Sequence, residues 1–292
     1  MTDASISFLL SSVEALISAF EGLLVPAAAF SLLAMLMRGR RIFGDLRRGL
    51  PEIGLNLQIM AFNVAFVVPM VVTLSTFLSG TVRQNGLSLV PAEVWAQMPV
   101  WLVAAIAIAA GDFFGYWRHR LEHTAVLWPA HAVHHSDTAM TWTAIERFHP
   151  INRVTTFLFD SLGLLLLGLP PFAIIANALV RHYYGAFIHA DLPWTYGPLG
   201  RIFVSPAMHR WHHAADVKAF DTNFATVFSI WDRMFGTCLA PGPCDPPLGV
   251  TDEMERNLVG QLSYPFLRRA YPTLFRRTGA ATAERVTPRD AG

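Results

Sequence analysis

Long apolar stretches alternate with short polar segments along this chain of 292 residues. A helix that crosses a bilayer needs about 20 consecutive, mainly apolar residues. Four stretches approach that length, at 13–37, 53–78, 94–111 and 154–180, and the span within the first is placed at 20–37. The pattern predicts an all-α integral membrane protein with about four transmembrane helices.

The fourth apolar stretch contains a proline pair, Pro170 and Pro171. Proline in a helix interior removes a backbone hydrogen bond and clashes with the preceding turn. Two interpretations stay open at this point. The stretch is either a kinked span or a helical hairpin that enters the membrane and returns on the same side.

Arginines distinguish the two sides of the predicted membrane. The first stretch is followed by Arg38, Arg40, Arg41, Arg47 and Arg48. Only Arg83 follows the second stretch, whereas Arg118 and Arg120 end the third. Because loops rich in Arg and Lys stay in the cytoplasm, we expect these arginine-rich segments to be cytoplasmic and the N-terminus to lie outside. If 154–180 is a hairpin, everything from Arg181 onward is cytoplasmic as well.

The composition agrees with a membrane protein and narrows the alternatives. Charged residues make up 15% of the chain and hydrophobic residues 53%, against roughly 25% charged residues in soluble domains. This excludes a soluble globular enzyme, and the net charge of +1 disfavours nucleic acid as a partner. Lys218 is the only lysine among 22 basic residues. Together with many alanines, this suggests a GC-rich bacterium and hence its inner membrane.

All 11 histidines lie between His119 and His213, and eight of them form three short clusters. The clusters are His119 with His123; His131 with His134 and His135; and His209 with His212 and His213. On a helix, residues three and four apart share a face, so each cluster directs its imidazoles the same way. Imidazole binds iron, copper, nickel and zinc. Eight imidazoles exceed the needs of one ion, so their number predicts two metals with three to five nitrogens each.

Four residues near these clusters are further candidates for the metal site. His189 is expected to be a ninth ligand. His182, seven residues earlier, is a tenth ligand or a partner of one, and His149 has a structural or ligand-supporting role. Asp112 shares a helical stripe with His119 and His123. It is either a carboxylate that orients a ligating histidine or an interfacial charge at a helix end.

The ordered motifs resemble those of the fatty acid hydroxylase/sterol desaturase superfamily. They read D-x-x-x-Y-W-x-H-R-x-x-H at 112–123, H-x-x-H-H-S at 131–136, R-x-H-P at 147–150, H-R-x-H-H at 209–213 and N-x-x-x-x-x-S-I-W-D-R-x-F-G-T at 223–237. The resemblance covers residues 95–240.

The resemblance implies an oxygenase with two histidine-ligated iron ions, held in a cytosolic helical cap above the membrane helices. It implies hydroxylation or desaturation of a lipid or sterol-like substrate with O2 and an external electron donor such as ferredoxin or a cytochrome. The expected organisation is transmembrane helices at 1–111, cap segments at 112–153 and 181–278, the kinked or hairpin region at 154–180, and a disordered tail at 279–292.

Two other functions are compatible with many histidines in a membrane protein. A zinc hydrolase would need an open coordination position and a general base, for which Glu122 and Glu146 are candidates. The sequence contains no H-E-x-x-H motif, and it has more histidines than such a site uses. A metal transporter would place its ligands at mid-membrane on broken helices. Here the clusters flank the apolar stretches or follow them, so the oxygenase is favoured.

Overall fold

The computed structural model describes residues 3–271, and the tail predicted at 279–292 lies outside them. The α-helices are α1 (Asp3–Gly22), α2 (Leu24–Arg38), α3 (Ile42–Phe62), α4 (Val68–Gln84), α5 (Ala92–Ala96), α6 (Val100–Glu122), α7 (Trp128–His135), α8 (Pro150–Thr156), α9 (Leu162–Leu166), α10 (Pro171–His189), α11 (Pro206–His212), α12 (Ile230–Met234) and α13 (Leu258–Ser263). Two π-helical turns occupy Asn63–Val67 and Phe157–Ser161. Short 3-10 helices occupy Gly39–Arg41, Trp142–Glu146, Gly197–Arg201, Val217–Ala219, Tyr264–Phe266 and Arg268–Ala270. Within 3–271 the only β pairing consists of two isolated bridges, so the all-α prediction is confirmed.

Two parts of the described chain are long and apolar enough to cross a membrane. They are Leu10–Gln84, which includes α2 to α4, and Val100–Glu122, and the apolar 18-residue stretches within them have mean hydropathies of 2.0 and 1.6. Many of their large side chains face outward; Val25 is 78% and Phe77 68% exposed. Extended apolar surfaces of this kind mark contact with lipid or with another protein. The number of spans and the cytosolic cap stay predictions.

The fourth apolar stretch folds as a helical hairpin rather than as a kinked helix. Helix α9 ends at Leu166, and α10 begins at Pro171, where the missing amide hydrogen costs nothing. Between them Gly168 has a φ of +72°, a conformation that side chains other than glycine rarely adopt. The two prolines therefore end the turn and start the second arm.

Both arms of the hairpin pack against α6, which also carries the first histidine cluster. A Cβ at Gly111 would overlap the side chain of Asn177, and one at Gly115 would overlap Arg181. The order of these contacts makes α6 and α10 parallel, and the glycines allow the two helices to approach closely. On the first arm, Gly163 lies against Phe114. Farther along α6, Arg118 pairs with Asp160, so this arm is antiparallel to α6.

The histidines lie where the apolar helices meet shorter polar ones. Helix α6 continues without a break from its apolar half into His119, and α10 ends at His189. Helices α7 and α11 supply the second and third clusters, and the irregular segment 221–228 lies in the connection between α11 and α12. Thus two long helices fix the positions of the shorter ones that complete the site.

Candidate metal centre

Nine histidines converge in two groups, and within each group the candidate ligand atoms all lie within 4.8 Å of one another. The five-histidine group is His119, His123, His131, His135 and His212. The four-histidine group is His134, His189, His209 and His213. These nine are the residues that the sequence singled out as ligands. Two nitrogens bound to one ion at about 2.1 Å are at most about 4.2 Å apart, so each group is close to the size of a filled site.

Neighbouring histidines in the sequence belong to different groups. His134 belongs to the four-histidine group and His135 to the five-histidine group. In the third cluster, His212 belongs to the five-histidine group and His213 to the four-histidine group. Consecutive residues on a helix point about 100° apart, so an H-H pair can serve two sites at once. The rings of His135 and His213 stack with centroids 4.3 Å apart, where the groups adjoin.

The five-histidine group has the unpaired donor atoms that a metal would use. The Nε2 atoms of all five members are buried and have no hydrogen-bond partner. Buried polar atoms are rarely left unpaired, since each costs roughly 1–3 kcal/mol. Five such atoms directed at one another fit a metal ion as their common partner.

The opposite ring nitrogens of three members are held by the segment 221–228. The Nδ1 atoms donate to oxygens of this segment: His119 to the Phe224 carbonyl at 2.7 Å, and His212 to the Thr222 carbonyl at 2.6 Å. His123 Nδ1 lies 3.2 Å from an Asp221 carboxylate oxygen. A hydrogen on Nδ1 leaves the lone pair on Nε2, which is the form that binds metal.

The four-histidine group converges on His189. Its Nδ1 donates to the Gly185 carbonyl at 2.6 Å, so Nε2 carries a lone pair. The Nε2 atoms of His134 and His209 lie 3.1 and 3.0 Å from that nitrogen. Both ring nitrogens of His213 are buried without a partner. Four convergent imidazoles are a suitable ligand set for a second metal ion.

Burial favours the neutral form of seven of these imidazoles. It lowers the pKa of His189 to about 4. It also lowers the pKa well below the ordinary histidine value for His131, His134, His135, His209, His212 and His213. Metal ligation requires the neutral ring, so burial prepares these side chains for that role.

Asp112 does not contact a histidine directly, in contrast to the expected ligand-orienting contact. Its carboxylate is fully buried and accepts hydrogen bonds from the amides of Thr226, Val227 and Phe228 at 2.8–3.3 Å. It therefore fixes segment 221–228 to α6. The same segment carries the Phe224 carbonyl that orients His119. Asp112 therefore supports His119 indirectly, by holding the segment that contacts it.

Asp232 and Asn223 fix the other end of this segment. Asp232 accepts from the amides of Phe224 and Ala225 at 2.8 and 3.1 Å. The Asn223 side chain donates to the carbonyls of Met208 and Leu239 at 2.8 and 2.7 Å. Both anchors lie within the N-x-x-x-x-x-S-I-W-D motif. For Asp232 the sequence predicts a locking role through an ion pair or backbone bonds, and its partners here include backbone amides, but the sequence gives no role to Asn223.

Glu122 is a buried carboxylate that lies next to a candidate ligand, His131. One of its oxygens lies 3.4 Å from His131 Nδ1 and accepts from Arg118 at 2.6 Å. Arg118 also binds Asp160 at 3.0 Å, and Arg181 binds the same carboxylate at 2.6 Å. These buried ion pairs connect α6 with both arms of the hairpin, so the support of His131 is continuous with the helix packing.

The two remaining histidines belong to neither group. His149 is buried at the start of α8, where its Nδ1 accepts from the Ile151 amide at 3.1 Å and its Nε2 donates to the Leu262 carbonyl at 3.0 Å. With both nitrogens used, it has a structural role here. The His182 side chain is 45% exposed and lies 3.8 Å from Glu146, away from the convergent nitrogens.

A cavity of about 620 Å³ opens beside the five-histidine group. Its wall includes His123, His135 and His212, and its lining is otherwise both apolar and polar. Trp128 and Phe220 contribute apolar surface. The polar lining residues are Asp221, Thr251, Asp252, Glu253, Tyr264, Arg269 and Tyr271. Small-molecule sites commonly have volumes of this size, so the cavity can bring an organic molecule to the histidines.

The described residues 3–271 are mainly helical and bring two convergent histidine groups to the ends of apolar helices, a ligand set suited to metal ions. The sequence profile of the fatty acid hydroxylase family matches residues 104–237, which contain all nine histidines. The chain thus carries a fatty acid hydroxylase domain over these residues. The resemblance drawn from the motifs is confirmed.

Several proteins of known activity are similar to this chain. An ornithine lipid hydroxylase of Rhizobium tropici is 31% identical over 192 residues, which are 65% of this chain and 58% of the relative. The alkylglycerol monooxygenase of Danio rerio is 32% identical over 177 residues, 59% of this chain and 38% of the relative. A Delta(7)-sterol 5(6)-desaturase of Gibberella zeae is 29% identical over 146 residues, 50% of this chain and 38% of the relative. The chain thus spans less than two thirds of each relative's length. No solved structure matches it significantly.

Proposed function

We propose that the protein is a membrane-bound di-iron oxygenase that hydroxylates, or desaturates, a C–H bond of a lipid or sterol-like substrate. The observation that supports this proposal most strongly is the convergence of nine imidazoles in two groups. Hydroxylase, monooxygenase and desaturase relatives support oxidation of a lipid. Hydroxylation converts R–H, O2, two electrons and two protons into R–OH and water. The electrons come from an external donor such as a ferredoxin or a cytochrome.

The five-histidine group would hold one iron and the four-histidine group the other. When bound, the iron pair supplies the oxidising power that an unactivated C–H bond requires, using O2 and the donor's electrons. The protein's own part is to fix the imidazoles and to exclude bulk water. The carbonyls of Thr222 and Phe224 hold two of the rings. Both groups are almost entirely buried, and His134 is only 2% exposed.

The substrate would reach the five-histidine group through the 620 Å³ cavity. Trp128 and Phe220 supply apolar contact for a hydrocarbon part, and Asp252 and Arg269 supply polar contact for a headgroup. Three histidines form one wall of this cavity, so a substrate carbon there lies next to the metal ligands. Because polar side chains that can hold a headgroup line the same cavity, this arrangement favours reaction at a carbon near the polar end of the lipid.

The structure offers less support for a zinc hydrolase. Of the two candidate general bases, Glu122 is buried and paired with Arg118, while Glu146 pairs with Arg153 at 3.2 Å. A general base must be free to take a proton from a metal-bound water. Both carboxylates are held in ion pairs instead. A transporter would need ligands at mid-membrane, whereas most of these histidines lie on short helices beyond the long apolar stretches.

The proposed reaction is tested by isotope incorporation. Bacterial membranes containing the wild-type chain are supplied with 18O2 and a reducing system, and their lipids are analysed by mass spectrometry. We expect either one 18O atom in a lipid product or a loss of two hydrogens. The His134→Ala variant should form no product, and His182→Ala, a histidine outside both groups, should resemble wild type.

Product formation without O2 would contradict an oxygenase. Equal product in the His134→Ala membranes would contradict a role of the four-histidine group. Immunoblots of the membrane fraction distinguish a loss of activity from a loss of the protein itself.

We also propose that the site faces the cytoplasm of a bacterial inner membrane, on the basis of the arginine distribution. A C-terminal fusion reports this directly. A fluorescent protein that matures only in the cytoplasm should be bright, and a periplasmic phosphatase fused at the same place should be inactive. The opposite pair of results would reverse the orientation.

A further inference from the structure

A groove rich in arginine lies where α2 ends and α3 begins, away from the cavity beside the histidines. Its volume is about 890 Å³. We call it the arginine groove. It is lined by Met37, Arg38, Arg40, Arg41, Gly44, Asp45 and Arg48. Four cationic side chains and one carboxylate therefore face a single concave surface, which favours an anionic ligand.

Two of the four arginines are available to such a ligand. Asp45 accepts from Arg38 at 2.8 Å and also binds Arg48. In the part of the chain from 3 to 271, no carboxylate pairs with Arg40 or Arg41, and both are exposed. Guanidinium groups bind phosphate through paired N–H donors, so two unpaired arginines in one groove are suited to a phosphate group.

Apolar side chains that face outward surround this positive groove. Leu36, in the last turn of α2, is 75% exposed, and Phe43, at the start of α3, is 66% exposed. Leu46 and Leu50, also exposed at 47% and 54%, lie on the same face of α3 as Phe43 because they follow it by three and seven residues. A helix with basic residues beside an exposed apolar row is typical of a membrane interface.

The order of charges along α2 matches the order of groups in a phospholipid. From Leu24 to Met37 the helix carries no charged residue, and it ends at Arg38. Acyl chains placed along α2 would bring their headgroup to the level of the arginine groove. Water-soluble acidic proteins would meet the same arginines but would gain nothing from the apolar row, so the surface favours a lipid over a protein.

We propose that the arginine groove binds the phosphate of an anionic phospholipid headgroup, with the acyl chains against the apolar surface of α2 and α3. The proposal requires that the chain lies in a bilayer, but it does not depend on the reaction carried out at the histidines. Arg40 and Arg41 contact the phosphate, while Arg38 and Arg48 remain bound to Asp45.

The groove is connected to the four-histidine group through Arg38. This side chain donates to the Asp191 carbonyl at 3.3 Å and binds the Asp191 carboxylate, which Arg210 also approaches at 3.3 Å. Asp191 follows His189 by two residues, and Arg210 follows His209 directly. Arg38 thus has a structural role, so the test leaves it intact and changes only the two unpaired arginines.

The test measures lipid binding to the full-length chain purified in detergent. Native mass spectrometry follows titrations with dioleoylphosphatidylglycerol and with dioleoylphosphatidylcholine, whose acyl chains are the same. We compare wild type with the double variant Arg40→Gln/Arg41→Gln. Arg83→Gln is the matched control because Arg83 is another exposed arginine near the end of an apolar helix. Elution from a size-exclusion column confirms that each variant is folded.

We expect wild type and Arg83→Gln to prefer phosphatidylglycerol. Each arginine at an anionic lipid surface contributes about 1 kcal/mol, so the double variant should bind this lipid about 30-fold more weakly. Binding of phosphatidylcholine should not change. Wild-type protein without a preference for the anionic lipid, or a double variant that keeps that preference, would overturn the proposal.

Two further measurements distinguish other ligands. Displacement of phosphatidylglycerol by millimolar inorganic phosphate would assign the groove to free phosphate and would overturn the lipid. Reduction of the metal centre is then followed spectroscopically with dithionite and with an acidic ferredoxin. If the double variant is impaired only with ferredoxin and binds lipid normally, the groove docks a protein and the proposal fails.

Discussion

Replacing Glu122 with glutamine tests whether a residue that binds no metal, but lies beside the candidate ligand His131, is needed for metal binding. The Glu122 carboxylate is fully buried and contacts three groups. It accepts from Arg118 at 2.6 Å, binds the Thr155 hydroxyl, and lies 3.4 Å from His131 Nδ1. Glutamine keeps the volume, but it removes the charge and turns one acceptor into a donor. That donor would face either an arginine or a hydroxyl.

The contacts around Glu122 set the size of the expected effect. Breaking a buried ion pair by removing one partner costs about 3–5 kcal/mol in the free energy of unfolding. Asp160 remains as a second carboxylate on Arg118 at 3.0 Å, so we expect the lower end, about 3 kcal/mol. Loss of a group that orients a ligating histidine lowers metal affinity by about 10- to 100-fold. The five-histidine group should therefore lose its metal first.

The assay is competition with a chelator, followed by elemental analysis of the purified protein. Wild type should retain both metals at a chelator concentration that removes about one per chain from Glu122→Gln. Glu93→Gln, which changes an exposed carboxylate, is the control and should resemble wild type. A Glu122→Gln protein with wild-type chelator resistance and stability would refute the assigned role of this carboxylate.

Three other changes test neighbouring features of the structure. Asp112→Ala leaves three buried amides without an acceptor and should cost about 3–5 kcal/mol and weaken metal retention; unchanged thermal unfolding would contradict this. Gly111→Ala introduces a Cβ that overlaps the Asn177 side chain. Overpacking should cost about 1–3 kcal/mol in the free energy of unfolding and lower the unfolding temperature in detergent. A variant as stable as wild type would show that α6 and α10 are farther apart than this contact requires. His149→Ala removes the cap of α8 and the bond to the Leu262 carbonyl, so it should lower stability by about 1–2 kcal/mol with full metal content; loss of one metal per chain would instead identify His149 as a ligand.

Local spacing in the sequence was sufficient to find the residues that converge. The i, i+3, i+4 pattern identifies the three clusters, and the position of His189 after an apolar stretch makes it the ninth candidate. The number of imidazoles, which exceeds the needs of one ion, indicates two sites. It did not show which histidine joins which group, because the division of His134 from His135 depends on how α7 lies between the other helices.

The supporting contacts depended on tertiary structure that no local pattern contains. Asp112 is on the same helical stripe as His119, yet its carboxylate faces backbone amides that are more than 110 positions away in sequence. The sequence alone makes Glu122 a candidate only for a hydrolytic base, whereas packing of α6 beside α7 places it near His131. The hairpin was one of two interpretations, and the turn at Gly168 decided between them.

Counting the metal ions bound by the purified protein tests the central claim most directly. Elemental analysis of wild type, loaded with iron without oxygen and freed of excess metal, should give two irons per chain, and X-ray absorption should show a coordination shell dominated by imidazole nitrogen. His182→Ala should give the same result. One metal per chain, or zinc that iron does not displace, would contradict a di-iron centre built from the five- and four-histidine groups.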